Sequence, residues 1–322
     1  MPENFPGITF DKNGVCSFCR QRLPEAELRQ LKKQYKNRFL SLIRTVAGKG
    51  DYDVLMCYSG GKDSTYTLGL LRNEYKLRVL AFTFDNGFIP ERTYLNIRNA
   101  VEKLDVDHII FKARFSVLKK IFKTAARKSL YPAKALERAS TICTSCMAFI
   151  KYLSLRIAIE KRIPCIAFGW SPGQAPVTSS VLKIDPAMIC RMEKVLKGPL
   201  AGIVGNDIGP YFLNDEQYSR PERFPCFVHP LAFVHYDEKK ILRAIQKFGW
   251  RKPYGVDLNA TNCLLNSFAD EAHIAKYGFH PYLLEIAGFV RDGYMKRSDG
   301  LRHLPVRKNK KIVDMVKRRL GL

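Results

Sequence analysis

The sequence predicts an α/β protein built on a doubly wound, mostly parallel sheet, with a small cysteine-containing head before it and a helical extension after it. Three observations carry this expectation. Short apolar runs alternate with amphipathic stretches between residues 50 and 170, a glycine-rich turn joins the first such run to the helix behind it, and the two ends of the chain break the alternation.

Residues 1 to 20 are turn-rich, with Pro6-Gly7 and Asn13-Gly14 as turn signals, and are assigned to a head spanning 1–24. Leu28, Leu31, Tyr35, Phe39, Leu42 and Ile43 then recur at helical spacing among basic residues, which predicts an amphipathic helix over 25 to 46 inside a basic linker, 25–50. The run DVLMCY (53 to 58) reads as a buried strand, followed by a glycine turn and a helix over 64 to 75. A strand over 78 to 84 (RVLAFTF), a helix over 91 to 104, a strand over 108 to 111, a basic helix from Phe115, a helix over 145 to 161 and a strand over 164 to 169 complete the alternation. Each right-handed crossover must cover a sheet face, so ligands are expected where the strands end. From 170 to 225 Pro and Gly are frequent, which predicts loops or a flexible segment facing substrate. Order is expected to return over 227 to 233, with a helix over 237 to 248, and the main domain is placed at 51–262. The remainder, 263–322, reads as helical and basic: two or more helices over 264 to 304, then a basic helix or a mobile arm from Arg307 with Lys308, Lys310, Lys311, Lys317, Arg318 and Arg319.

A chain of 322 residues is long enough for one large α/β domain with a smaller appendage. No run approaches the roughly 20 apolar residues of a membrane span, and the opening residues lack the order of an export signal, so a cytoplasmic protein with no membrane partner is expected. The 54 Lys and Arg against 30 Asp and Glu leave a net charge of +24, which either suits a polyanion such as RNA or marks an ordinary basic protein. Nine cysteines in such a chain argue against a disulfide framework. Cys16/Cys19 and Cys143/Cys146 form Cys-x-x-Cys pairs, a metal-ligand spacing.

Ser59-Gly60-Gly61-Lys62-Asp63-Ser64 stands between an expected strand and an expected helix. Its glycines let backbone approach an anion, amides at a helix start point at it, the serines add hydroxyls and Lys62 adds a point charge. The spacing is not that of a Walker loop. This hexapeptide after DVLMCY, with AFTFDNGF on the next strand, resembles the PP-loop ATP pyrophosphatase superfamily, whose fold is of the adenine nucleotide alpha hydrolase kind. The resemblance implies ATP cleaved between its α and β phosphates, with Ser59, Gly60, Gly61, Lys62, Asp63 and Ser64 gripping pyrophosphate and Mg²⁺, Phe84 and Asp85 near the adenosine, and Gly169 at the end of the fourth strand beside the nucleotide. Lys62 and Asp63 are the expected catalytic residues.

Cys143-Thr144-Ser145-Cys146 is expected to open a helix, so that both thiols face one point. The order Cys-x-x-Cys, His229-Pro230-Leu231, Asp237-Glu238 and Cys263 resembles that of tRNA two-thiocytidine and two-thiouridine synthetases over roughly residues 50 to 265. It implies that Cys143, Cys146 and Cys263 hold a 4Fe-4S cluster with one iron open to sulfur. Cys226 rivals Cys263 as third ligand, and zinc or no metal are the alternatives. Cys16 and Cys19 look like half of a Zn²⁺ ribbon, though the upstream pair is absent. Residues 6 to 19 (PGITFDKNGVCSFC) and Gly293-Tyr294-Met295-Lys296-Arg297 resemble N-acetyl sugar amidotransferases instead, and Gly169-Trp170-Ser171-Pro172-Gly173-Gln174 departs from the thiolases' Gly-His-acidic pattern.

The leading expectation is therefore sulfur transfer to a tRNA base by an adenylating enzyme, with ATP, RNA, a sulfur donor or sulfur-carrier protein and a second copy of the chain as partners. The alternatives are a sugar amidotransferase using ammonia and a non-catalytic RNA-binding or metal-sensing protein. His273 and His280 are read as packing or substrate contacts, Cys57 and Cys165 as buried thiols, and the helix with Lys119, Lys120, Lys123, Arg127 and Lys128 as an RNA-facing or solvated surface.

Overall fold

The computed structural model describes residues 1–257, 259–304 and 309–322. Arg307 and Lys308, the first basic residues of the expected arm, lie outside the described residues. The head holds one helical turn, α1 (Ser17–Arg20), closed by a bridge between Phe10 and Cys16, and leads to the amphipathic α2 (Glu25–Val46), whose bounds match the expected ones. The alternating part follows: β1 (Val54–Cys57), α3 (Lys62–Gly69), β2 (Val79–Asp85), α4 (Glu91–Leu104), β3 (Asp107–Lys112), α5 (Phe115–Arg127), the short α6 (Ala133–Leu136), α7 (Thr141–Glu160) and β4 (Cys165–Phe168). The expected helix over 64 to 75 stops at Gly69 and passes into a π turn, Leu70–Glu74; a Cβ on Gly69 would lie 2.7 Å from the Phe248 ring.

The segment over 170 to 225, expected to be loops, instead holds β5 (Val181–Lys183), the 19-residue α8 (Pro186–Val204) and the short α9 (Asp215–Tyr218). Asp185 caps α8 by accepting from the Ala187 and Met188 amides, and Pro186 at its first position forfeits only a hydrogen that has no helical partner. Burial of Ile189 and Leu200 then outweighs the poor helix propensity of Gly198, Pro199 and Gly202. The chain continues through β6 (Cys226–Val228), α10 (Glu238–Gln246), α11 (Asn266–Tyr277), α12 (Leu283–Arg291), α13 (Arg297–His303) and α14 (Lys310–Leu320).

The six-stranded sheet runs β3-β2-β1-β4-β6-β5, parallel except for β5. The chain winds outward from β1 through β2 to β3, then returns past β1 to β4, so the reversal of strand order falls between β1 and β4. This is the doubly wound sheet expected, and the crevice outside its switch point is where such sheets bind ligands. β1, β2 and β4 are buried along their whole length, as strands covered on both faces must be. One face packs Phe82, Phe122, Phe149, Tyr152 and Phe212 beneath α5, α7, α8, α11 and α14, and the other packs Phe39, Met56, Tyr58 and Ile97 beneath α2, α3 and α4. Against the expectation that no run approaches a membrane span, α7 is the one described helix long and apolar enough to cross a membrane, and 61% of its apolar window is buried inside the protein. The head docks on the C-terminal helices: Phe5 meets Phe279 edge-on at 5.1 Å, and the Asn4 amide donates to the Gly278 carbonyl.

Candidate functional site

β1 ends at Cys57 and α3 begins at Lys62, so the hexapeptide forms the turn between them with Gly61 as the residue before the helix. Gly60 takes φ 72°, open to glycine at little cost, and a Cβ there would sit 2.6 Å from Ile97 and 2.8 Å from Thr93 of α4. The Trp250 indole donates to the Gly60 carbonyl at 3.0 Å, fixing the turn from outside. Ser59 and Ser64 hydroxyls bond each other at 2.9 Å, and the Lys62 amide reaches Thr261 Oγ1 at 3.3 Å. At the tip of β4, a Cβ on Gly169 would fall 2.5 Å from the Ser64 Cα, so only glycine lets β4 and the first turn of α3 meet at the switch point. The result is a turn of amides and hydroxyls at a helix N-terminus, which is anion-binding geometry.

Around it stands a ring of charge. Lys62 Nζ bonds Glu238 at 2.5 Å and Tyr236 OH at 3.1 Å and lies 3.8 Å from Asp63; Tyr236 donates to Asp63 at 3.0 Å. Burial works against the Lys62 charge, but Asp63 and Glu238 outweigh it and hold the pKa above the ordinary lysine value. Burial pushes the Asp63 carboxyl up, with Lys62 and Tyr236 opposing. Glu285 of α12 enters from the other side and accepts from Ser171 at 2.6 Å. It keeps an edge open to solvent, yet is enclosed enough that burial, aided by Asp63, pushes it up to about 7 against the Ser171 bond. The segment after β4, short of the expected acid, thus receives one from 114 residues further on. Neither Glu285 nor Tyr236 was foreseen: a single Glu in an amphipathic helix and a Tyr before an acidic pair carry no local signal.

The second group is made of thiols. Ser140 caps α7 by accepting from the Cys143 amide, which sets Cys143 and Cys146 in the first two turns. Asn86, in the turn after β2, points its amide at Cys146 Sγ (3.6 Å) and Cys263 Sγ (3.4 Å), while Cys143 Sγ contacts Asn266 (3.8 Å). Burial pushes Cys146 up to about 12 and raises Cys143 and Cys263 as well, and each pair of these thiols resists a shared negative charge. Among the described residues no three His, Cys, Asp or Glu side chains converge in the manner of ligands to a single ion; Cys146 and Cys263 share the Asn86 amide, and Cys143 faces Asn266. Cys226 is elsewhere: it is paired across the sheet with Cys165 and packs under the opposite face.

Asp85 at the tip of β2 accepts from the Gly87 amide at 2.7 Å and lies 3.7 Å from Lys112, while the Phe84 ring is buried between Phe111 and Phe149, leaving its backbone at the strand end. Cys16 is buried and Cys19 exposed, the Cys19 amide donates to the Cys16 carbonyl at 2.9 Å, and no further thiol lies among the described residues of the head. His273 is buried against Tyr277 and Phe279, and His280 lies 3.9 Å from Asp270. His229 stacks on Trp170 at 4.6 Å, and burial lowers its pKa to about 4.

No protein-family model matches the chain. Over 317 residues it is 24% identical to an uncharacterized protein of Methanocaldococcus jannaschii, a match that covers 98% of this chain and 94% of that one. Among solved structures it is similar to the U34-tRNA thiolase NcsA from Methanococcus maripaludis with its 4Fe-4S cluster (18% identity, 90% of this chain and 81% of that one, TM-score 0.39). It is also similar to an NH3-dependent NAD synthetase from Campylobacter jejuni (15% identity, 91% and 93%, TM-score 0.38). The doubly wound class itself stands on this chain's own strand order, with the glycine turn at its switch point.

Proposed function

We propose that this protein is an ATP pyrophosphatase that adenylates a carbonyl oxygen of a tRNA base so that sulfur replaces it. The observation that carries the reading is the segment Thr261-Asn262-Cys263. Its first residue bonds the amide of Lys62 in the phosphate loop and its third stands with Cys143 and Cys146, so the anion site and the thiols are neighbours across two residues of chain.

In this reading the substrate oxygen attacks the α phosphorus, the bond to the β-phosphate oxygen breaks, and pyrophosphate departs into the amides of 59 to 64. Lys62, already charged, stabilises the leaving phosphates, an electrostatic role worth several kcal/mol. Mg²⁺ is commonly held by one or two carboxylates together with substrate phosphates, and Asp63 with Glu285 supplies two facing Lys62. A sulfur nucleophile then attacks the activated carbon and AMP leaves. Three sulfur ligands with no nitrogen among them would suit the soft iron of an iron–sulfur cluster. When bound, such a cluster would leave an iron free to present soft sulfur. Cys143, Cys146 and Cys263 would hold it, and the Asn86 amide would donate to the sulfurs and favour their ionised forms. The chain is expected to act in the cytoplasm with a sulfur donor, as a monomer or homodimer, and Zn²⁺ at Cys16/Cys19 belongs to the same proposal.

A second reading, amide formation on a nucleotide-linked sugar, is favoured by one feature. The groove beside Lys62, about 1480 Å³, is lined by Tyr236, Glu238 and the 293 to 296 segment as well as by Lys32 and Lys36 of α2. Incubation with ATP, Mg²⁺, sulfide as sulfur donor and unmodified tRNA separates the readings: AMP, pyrophosphate and a thionucleoside are expected, whereas ADP with orthophosphate overturns the pyrophosphatase. Anaerobically purified protein is expected to be brown and to contain iron; a colourless, iron-free protein overturns the cluster and leaves the sugar.

A further inference from the structure

Trp250 is 4% exposed and tied to the phosphate loop, and the next residue is gripped twice: the Asn96 side chain donates to the Arg251 carbonyl at 2.7 Å and accepts from its amide at 3.0 Å. Asn96 is itself fully buried in α4. Four residues on, Gly255 takes φ 77° and lies against α14, where a Cβ would be 3.3 Å from Ile312. Between these anchors Tyr254 is 93% exposed, far above any other large apolar residue described. Arg251 and Lys252 beside it, and Lys310 and Lys311 at the start of α14, are exposed too.

A lone exposed aromatic is ordinary; one projected three residues after a doubly hydrogen-bonded anchor, with the chain then running alongside α14, is not, because its backbone has less freedom left to lose on binding. The same stretch of chain leads on to Thr261 and Cys263, so Tyr254 precedes, by seven residues, the segment that joins the anion site to the thiols. We propose that Tyr254, flanked by Arg251 and Lys252, is a stacking platform for an unpaired base of an RNA substrate. The phenol ring offers a π face that any base can cover, and the cations meet the adjoining phosphates. The inference rests on the RNA reading above, and adds the requirement that the RNA be locally single-stranded at the point of contact.

The test uses the full chain with a tRNA transcript, a short single-stranded RNA and a duplex of equal length, measured by fluorescence anisotropy at fixed salt. Tyr254→Ala is expected to weaken single-strand binding on the order of tenfold, Tyr254→Phe to leave it near wild type, and duplex binding to change little. Photo-crosslinking of a 5-bromouridine oligonucleotide should label the peptide containing Tyr254. Wild-type RNA binding that Tyr254→Ala leaves intact would overturn the platform while sparing the pyrophosphatase reading. A wild-type chain that binds no RNA but still releases pyrophosphate from ATP would remove RNA as the substrate, and the platform with it.

Discussion

The phosphate loop and the thiol group both lie at the carboxyl ends of the strands of one sheet and are built in opposite ways. The loop is a contiguous turn whose amides are aimed by local dihedrals and by the start of α3, so its geometry belongs to a few consecutive residues. The thiols come from the first turns of α7 and from a segment beyond α10; Cys146 and Cys263 meet at Asn86, and Cys143 meets Asn266, only because β2, α7 and that segment pack against a shared core. Their charge differs as well. The loop gathers Lys62, Asp63, Glu238 and Glu285, whereas the thiols are enclosed so that burial favours the neutral form. A site made by local backbone offers an anion fixed dipoles, whereas thiols gathered by packing are neutral until something deprotonates them.

The largest effect should come from the loop. Lys62→Ala is expected to slow pyrophosphate release by on the order of 10²–10³-fold while the melting curve stays near wild type. A loss below tenfold would mean that the amides alone carry the phosphates. The thiol side is sharpened by a pair of variants: Cys263→Ala should lose the iron and colour gained on anaerobic reconstitution, and Cys226→Ala should keep both. The reverse pattern would place the third ligand on the wrong face of the sheet.

Glycine variants probe how far the loop depends on its neighbours. Gly169→Ala would force a Cβ to 2.5 Å from the Ser64 backbone and should cost about 2–3 kcal/mol in denaturant unfolding. Gly198→Ala in α8, where nothing lies within 4 Å, should gain up to about 1 kcal/mol. Equal effects would show that the contact between β4 and α3 is softer than its geometry indicates. A further effect, in pH dependence, concerns Glu285. Burial raises its carboxyl from 4.5 to about 7 in the folded chain, which therefore binds more protons than the unfolded chain between those values. Stability contributed by the neutral acid is complete below the unfolded value and is lost as pH rises through about 7. Glu285→Gln should flatten that slope by about 1–2 kcal/mol, discounted for the open edge of the carboxyl. An unchanged slope would assign it to other groups.

Much of the fold was legible because its signals are short in range. The periodicity of Leu28, Leu31, Tyr35 and Phe39 reproduces α2, and the 91 to 104 pattern reproduces α4. Strand after strand was recovered within a residue or two, since β1, β2 and β4 are continuous apolar runs buried on both faces. Over 170 to 225 the frequent Pro and Gly hide a long helix, because local propensity marks them as breakers wherever they stand. Pro186 instead starts α8, and tertiary burial of Ile189 and Leu200 holds the rest of that helix. The ring around Lys62 was half visible: the acidic pair 237 to 238 was noted by order, but Tyr236 and Glu285 sit in unremarkable sequence and matter through where their helices land.

The sequence by itself determined a doubly wound sheet, a glycine turn after its first strand and a pair of cysteines at the start of a helix, because each depends on neighbours within one or two turns of chain. Only the tertiary structure decided that Cys263 rather than Cys226 joins that pair, that Glu285 supplies the acid missing after β4, and that Tyr254 is left in water. Those outcomes turn on which faces of distant helices meet the sheet, and core packing sums many weak contacts that no short stretch of residues records.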